Sequence, residues 1–387
     1  MNLIIIPFHD WRKSEAEGFR TRDVHLIRAL SKLDSVDRIL VINRPTTKLE
    51  LIYKKLNTKL NGKIILKTNK FNLTHVDSKI YVADYISYDI IGQIKQKQSW
   101  FFNKYGNANY INFIKTCITE LNIEDNNLLI QNIFSYKCAE QISSKHKLVD
   151  AWDNFLKFPV YKNFRQKIEI AYKSLSNSIP LWVTNSNENI IFYKETFGVR
   201  NLTLLKNGLN IDFASNNNTP EELQSLKRPI VGYGGKISYL INVDLINYAT
   251  NHNPELSFVF VGQVLDKQVY DNIIKRDNVY FLGDKHYDVY PSYVNSFDIC
   301  IVPYNINEGQ HGGDSIKAYE YLSTNKKVVG TKGNGLLDLE EYIYLTDDKE
   351  IFSNELKTVI NEKPRINLKD FSWSSKAERI VNLLSKE

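Results

Sequence analysis

Residues 312–323 read GGDSIKAYEYLS and set two glycines and an Asp-Ser pair directly ahead of a helical pattern. Gly312 and Gly313 free the backbone, and Asp314 or Ser315 suits the N-cap. The unpaired amides of the first turn then point outward, where the helix dipole favours an anion. Lys317 adds a full positive charge at that end, so a diphosphate fits there. Glu320 stands three residues on, on the same face and about 4.5 Å along the axis, where a carboxylate can accept both hydroxyls of a ribose. The plainer reading is a capped helix with an exposed Lys-Glu pair worth roughly 0.3 kcal/mol.

Other loops offer companions to that helix end. In VGYGGK, residues 231–236, Gly234 and Gly235 allow close approach of backbone to ligand, and Lys236 can reach a phosphate. The spacing is neither GxGxxG nor a P-loop, and an ordinary tight turn is the alternative. NVYFLGDKHYD exposes backbone after a strand, where a planar base could lie, and His311, beside Gly312, is within reach of a ligand in that loop or simply solvated. In the first half, Gly18 loosens the loop ahead of the first helix. Arg20, Arg22 and His25 at that helix start can face a bound ligand; the alternative is a solvated arginine face and a partly buried histidine.

The elements that must position these groups alternate between strand and helix. NLIIIP, RILVINRP, IYVADYIS, NNLLIQN, HKLVDAW and LWVTNS are short apolar runs ending in polar residues, and DVHLIRALSKL carries helical spacing at Val24, Ile27, Leu30 and Leu33. Hydrophobic period is lost near residues 206–229, rich in Asn, Ser and Pro, and the alternation then restarts with RPIVGYGG, LSFVFVGQ, NVYFLGD, FDICIVPY and KKVVGTKG. The last helix, FSWSSKAERIVNLLS, has Ala377, Ile380 and Leu383 or Leu384 on one face. The expected architecture is α/β, two doubly wound Rossmann-like domains with ligands at the carboxyl ends of the strands. The boundary falls at 210/211, and a chain of 387 residues exceeds what one core usually holds.

Composition narrows the function. With 43% hydrophobic and 24% charged residues the chain is globular. The net charge of +6 divides unevenly: residues 1–210 carry 31 basic and 19 acidic side chains, 31 − 19 = +12, and the remainder 19 and 25, 19 − 25 = −6. A basic first half suits an anionic partner such as a lipid headgroup or a phosphorylated acceptor, whereas scattered basic residues without a DNA- or RNA-binding motif argue against nucleic acid. MNLIIIPFHD reads as a strand rather than a leader, which predicts a cytoplasmic protein. No apolar run reaches the roughly 18 residues that span a bilayer, so any membrane contact is peripheral. Trp100, Phe101 and Phe102 beside Lys95, Lys97 and Lys104 fit either a membrane-interface segment or a core helix with a solvated face. Cys117, Cys138 and Cys300 lack metal or redox spacing and read as buried small hydrophobes.

VGYGGKIS, NVYFLG, DICIVPYNINE, GGDSIKAYEYLSTNKKVV and the terminal FSW helix, in that order, resemble the nucleotide-sugar-binding half of GT-B glycosyltransferases. HDWRKSEAEGFRTRDVHLIRALSK and LVDAWDNFLKFP resemble the first half of the bacterial teichuronic acid and exopolysaccharide glycosyltransferase group, which includes the xanthan glucuronosyltransferase branch. The resemblance implies a GT-B fold in which two Rossmann-like domains face a central cleft and residues 371–387 cross back to the N-terminal domain. It implies that Lys317 binds the donor diphosphate with Ser315 and Ile316 as backbone donors, that Glu320 holds the ribose, and that Gly234, Gly235 and Lys236 face the phosphates. Retaining members often place a Glu eight positions before the ribose carboxylate, where this chain has Gly312, and a His where it has Asp153. That departure favours inversion with Asp153 as base and Asp150 three residues earlier.

The chemistry is consistent with that substitution. Inverting transfer needs a general base at the acceptor hydroxyl and a counter-charge for the leaving diphosphate. A helix N-terminus with Lys317 can supply the counter-charge, and the chain has no Asp-x-Asp triplet for a metal, so neither metal nor cofactor is expected. The expected partners are a nucleotide sugar, a UDP-sugar by group likeness, and a glycan or polyprenyl-diphosphate-linked acceptor at the inner membrane face. A retaining transferase, a non-catalytic nucleotide-sugar-binding subunit and an epimerase of the same fold stay open.

Overall fold

The computed structural model describes residues 1–215, 218–306, 313–333 and 335–385. His311 and Gly312 lie outside the described residues. The chain forms two compact units. Unit 1 comprises Met1–Asn185, Asn189–Leu205 and the segment from Lys376 onward; unit 2 comprises Ser186–Glu188 and Lys206–Ser375.

Unit 1 is built on a sheet whose central strand β1 (Asn2–Ile6) pairs in parallel with β2 (Arg38–Ile42) on one side, and the short β3 (Thr46–Thr47) lies off the main path. Beyond β2 the chain adds the antiparallel pair β4 (Lys63–Lys67) and β5 (Phe71–Asp77), then β6 (Ile80–Ser87), which docks against β2. The path then crosses to the other side of β1 with β7 (Asn126–Ile130) and continues outward through β8 (Lys147–Asp150), β9 (Leu181–Thr184) and β10 (Asn201–Leu204). The strand order is β10-β9-β8-β7-β1-β2-β6-β5-β4, so the direction of winding reverses between β1 and β7. Leu3 to Ile6 are wholly buried because both faces of a parallel sheet are covered, which explains a continuous apolar run where an antiparallel strand would alternate.

Unit 2 repeats the scheme with six parallel strands. β11 (Ile230–Gly234), β12 (Ser257–Val261) and β13 (Val279–Phe281) lie on one side, and β14 (Ile299–Val302), β15 (Lys327–Gly330) and β16 (Tyr344–Leu345) on the other. The order β13-β12-β11-β14-β15-β16 reverses between β11 and β14. In doubly wound sheets such reversals open a crevice at the strands' carboxyl ends, and ligands bind there.

Several elements differ from the sequence expectation. The loop after β1 contains a helix, Trp11–Ala16, N-capped by the Asp10 carboxylate on the Lys13 amide at 3.2 Å; one buried aromatic in six residues gives too little period to read. Trp100, Phe101 and Phe102 sit in the helix Ser99–Tyr105, 0%, 8% and 5% exposed, with Phe102 4.8 Å from the Phe134 ring and Lys104 paired to Asp89 at 2.7 Å. They belong to the core, which settles that segment against membrane insertion. In the terminal helix Trp373–Leu384, Ala377, Ile380 and Leu384 are buried. All three cysteines are buried, and burial pushes each thiol up to about 12.

Candidate functional site

In unit 2, β11 runs into Gly234 and Gly235 at the point of reversal. Gly235 has φ +148°, and a Cβ there would lie 2.5 Å from Lys317 Cε and 2.8 Å from Nζ, so only glycine lets the lysine rest on this turn. The Tyr321 hydroxyl fixes the same turn, accepting from the Gly234 amide at 2.6 Å and donating to its carbonyl at 3.1 Å. Lys236 follows with an exposed side chain.

The helix Ile316–Ser323 starts at Ser315, as the capping pattern requires. Asp314 anchors the approach: its carboxylate accepts from the Asn207 amide at 2.8 Å, the Tyr319 hydroxyl at 2.7 Å and the Ser315 amide at 3.0 Å. Ser315 Oγ is buried and makes no hydrogen bond among the described residues. The first-turn amides, including those of Ile316 and Lys317, have no intrahelical acceptor.

Lys317 is partly buried, and its ammonium donates to the Tyr304 hydroxyl at 2.5 Å. Its Nζ lies 5.1 Å and 4.9 Å from the ring centroids of Tyr233 and Tyr304. Burial disfavours this charge, but the two phenol groups outweigh it and hold the lysine above its usual range. No carboxylate forms an ion pair with Lys317 among the described residues. Glu320, 3% exposed, accepts from the Tyr287 hydroxyl at 2.7 Å. Burial pushes its carboxyl up to about 7 against the lowering pull of Tyr287 and Lys317. Tyr287 comes from the NVYFLGDKHYD loop, so that loop shapes the carboxylate's setting.

Unit 1 places its expected residues differently from one another. Asp150, at the end of β8, receives Arg22 Nε at 3.0 Å, Arg22 Nη2 at 3.0 Å and Gln131 Nε2 at 3.0 Å, and both ions are buried. The two charges compensate each other and tie the helix Arg22–Ser31 to β8. Asp153 is 8% exposed in a loop held by the Tyr172 and Tyr193 hydroxyls, which donate to its carbonyl at 3.1 Å and 2.9 Å. Gly18, at φ +78°, turns the chain out of the Trp11–Ala16 helix, and Arg20 pairs with Glu17 at 3.1 Å. His25 is buried; burial, then the charge of Arg28, pushes its imidazole down to about 3, so it is neutral.

One residue that sequence reasoning passed over stands at this sheet's reversal. His9, just past β1, places Nδ1 3.0 Å and 3.1 Å from the two carboxylate oxygens of Asp23. The available signal was a histidine in the polar loop of IIIPFHD, directly after the strand that becomes the centre of the sheet.

No protein-family model matches the chain. A segment of 143 residues is 27% identical to the putative teichuronic acid biosynthesis glycosyltransferase TuaH of Bacillus subtilis (strain 168), spanning 36% of this chain and 36% of that protein. The fold is similar over the whole of both chains to an alpha,alpha-trehalose-phosphate synthase (UDP-forming) from Burkholderia xenovorans solved with glucose-6-phosphate, TM-score 0.68 at 9% identity. It is also similar to sucrose-phosphate synthase from Thermosynechococcus elongatus, TM-score 0.67 at 12% identity, covering 99% of this chain and 98% of that one. The architecture is the GT-B fold.

Proposed function

We propose that this chain is a glycosyltransferase that moves a sugar from a nucleotide-diphosphate sugar to a glycan or lipid-linked glycan acceptor in bacterial surface polysaccharide synthesis. The observation that carries the reading is Lys317: a partly buried ammonium with phenol partners and, among the described residues, no carboxylate ion-pair partner, resting on a glycine turn at a topological reversal and beside first-turn helix amides that lack an intrahelical acceptor. A cation left uncompensated in that way fits a diphosphate, and Glu320 one helical turn away fits the two ribose hydroxyls.

Lys317 and the first-turn amide of Ile316 carry the leaving-group charge in this proposal, without a divalent ion, while the Ser315 amide donates to Asp314 instead of serving as the expected second donor. A UDP-sugar is the preferred donor, in line with the UDP-forming neighbour and the teichuronic acid relative. Inversion is the preferred outcome, with the base drawn from the strand-end loops of unit 1, where Asp153 is the carboxylate expected from resemblance.

The acceptor side is proposed to meet an anionic membrane surface. The helices Lys48–Tyr53 and Ile90–Gln96 expose Ile52, Tyr53, Ile91 and Ile94 at 70%, 85%, 69% and 62%, among exposed lysines such as Lys48, Lys54, Lys95 and Lys97. Gln93 joins the two helices through Thr47 at 2.5 Å and Glu50 at 2.6 Å, so the apolar residues and lysines form one surface. Among the described residues no helix is long and apolar enough to cross a membrane.

The test is a nucleotide-sugar binding screen followed by transfer to crude lipid-linked acceptor, with the product's anomeric proton read by NMR. Transfer with an inverted anomer and activity in EDTA is expected. A retained anomer overturns inversion, and restoration by magnesium after EDTA overturns metal independence. Donor conversion without acceptor indicates an epimerase. Donor binding without transfer, with polysaccharide intact in a Lys317→Ala strain, indicates a binding subunit.

A further inference from the structure

The winding of unit 1 reverses between β1 and β7, the same topological position at which unit 2 holds Lys317. The side chain presented there, directly past β1, is His9 bonded to a buried carboxylate. We propose that His9 is the catalytic base of the transfer, taking the acceptor proton on Nε2, while Asp23 is a positioning residue that fixes the ring. This assignment rests on the glycosyltransferase reading and replaces Asp153 in the role of base.

The geometry determines the tautomer. Asp23 has a wholly buried side chain and accepts from the amides of Phe8, His9 and Val24 at 3.1, 2.9 and 3.1 Å, and from the Thr21 hydroxyl at 2.6 Å. It also lies in the first turn of the helix Arg22–Ser31, where the dipole favours an anion. Burial raises this carboxyl, but the charge of His9 and these hydrogen bonds outweigh it and hold the group well below the usual range. An ionised carboxylate only accepts, so Nδ1 carries the proton and Nε2 presents a lone pair. Nε2 makes no hydrogen bond among the described residues, and the side chain is 15% exposed. Among the described residues Asp23 is the charged side chain bonded to His9, and the rings of Phe8 and Trp152 lie 5.1 Å and 6.4 Å from its own between centroids. Trp152 brings the loop after β8 next to the same imidazole.

The step balances simply. The acceptor oxygen forms a bond to the anomeric carbon as its proton passes to His9 Nε2. The bond from the anomeric carbon to the donor phosphate oxygen breaks, and the nucleoside diphosphate leaves with the electron pair. The imidazolium formed is stabilised by Asp23 until its proton returns to solvent.

The test uses the full-length enzyme and the donor that wild type accepts. His9→Ala is expected to lower kcat by about 100-fold or more, to leave donor Kd within about twofold, and to abolish the acidic limb of the pH profile. Imidazole in the buffer is expected to restore part of the activity of His9→Gly, which a purely structural role would not allow. Asp153→Asn is expected to keep the acidic limb. Wild-type kcat and pH profile in His9→Ala, with both lost in Asp153→Asn, overturns the assignment and leaves the glycosyltransferase reading standing. A wild type that binds no nucleotide sugar overturns that reading instead. Nitrogen-15 NMR of the ring is independent of activity: the Nδ1–H tautomer, lost in Asp23→Asn, is expected at pH 8, and an Nε2–H tautomer overturns the assignment.

Discussion

The two reversal points of this molecule share a topology and differ in how they treat charge. In unit 1 the buried cations are matched: Arg22 by Asp150, and Arg12 by Asp84 with Asp10 nearby. In unit 2 Lys317 has phenols and, among the described residues, no ion-pair partner. A matched buried pair specifies structure, whereas a cation held without an anion marks the place of a ligand anion. The difference separates the residues that hold the molecule together from those that meet substrate, although both sets looked alike as letters in a loop.

Lys317→Met tests the unmatched side and should have the largest effect. The methionine keeps the packing volume and removes the charge, so kcat is expected to fall by about 100- to 1,000-fold, with nucleoside diphosphate binding weakened in calorimetry. The melting temperature of the free protein should stay level or rise, since no ion pair is lost. A drop in melting temperature comparable with the loss of activity would show that Lys317 is structural.

Asp150→Asn tests the matched side in the opposite sense. It leaves Arg22 buried without its counter-ion, which costs on the order of 3 kcal/mol, read as a lower urea midpoint. Nucleoside diphosphate affinity, a property of unit 2, should not change. If instead stability holds and only acceptor turnover falls, Asp150 belongs to the chemistry and the comparison fails.

Glu320 sharpens the comparison through pH. Its carboxyl titrates at about 7, above its unfolded value near 4.5, so its contribution to stability is full below the unfolded value and is lost as pH rises through 7. Ribose hydroxyls need the ionised form as acceptor, so nucleotide affinity should rise as stability falls. Between pH 6 and pH 8 a gain of about tenfold is expected, and Glu320→Gln should flatten it. Calorimetry across that range would show a flat wild-type profile if Glu320 did not bind the ribose.

How much of this was readable in advance follows from the same division. Unit 2 could be read because its signals are local: β11 ends in its two glycines, the cap, the lysine and the carboxylate fall within one helix, and five of six strands are apolar runs; the two-residue β16 is not. The Lys317 to Gly235 contact was not readable, since it depends on packing between segments 82 positions apart, 317 − 235. In unit 1 the parallel strands β1, β2, β6, β7, β8 and β9 were legible, but the short β3, the partly exposed β10 and the β4–β5 hairpin, half exposed and lysine-rich, were not. His25 drew attention because it lies on a recognisable helix. His9 did not, because the feature that marks it is the carboxylate of Asp23, 14 positions away, which turns back to the strand end. The cluster Trp100 to Phe102 showed composition without direction, and burial decided it.

The exposed surface of unit 1 gives the smallest expected effect and the last way to test the contrast, since here the lysines are solvated and act together. Tyr88, 52% exposed, lies under Lys48 and Lys70, whose ammonium groups stand 5.8 Å and 5.6 Å from its ring, so the apolar fringe is ringed by cations. Near an anionic bilayer each such lysine contributes about 1 kcal/mol, screened by salt, while the isoleucines add apolar burial. The double substitution Ile91→Glu with Ile94→Glu should therefore reduce co-sedimentation with phosphatidylserine-containing vesicles several-fold, by about 1 kcal/mol of apolar burial and repulsion. Transfer to a short soluble acceptor should be unaffected, because neither residue lies at a reversal point. Binding to neutral phosphatidylcholine vesicles as strong as to anionic ones, or an unchanged double variant, would reduce this surface to ordinary exposed side chains and leave the acceptor's membrane location without a structural basis in unit 1.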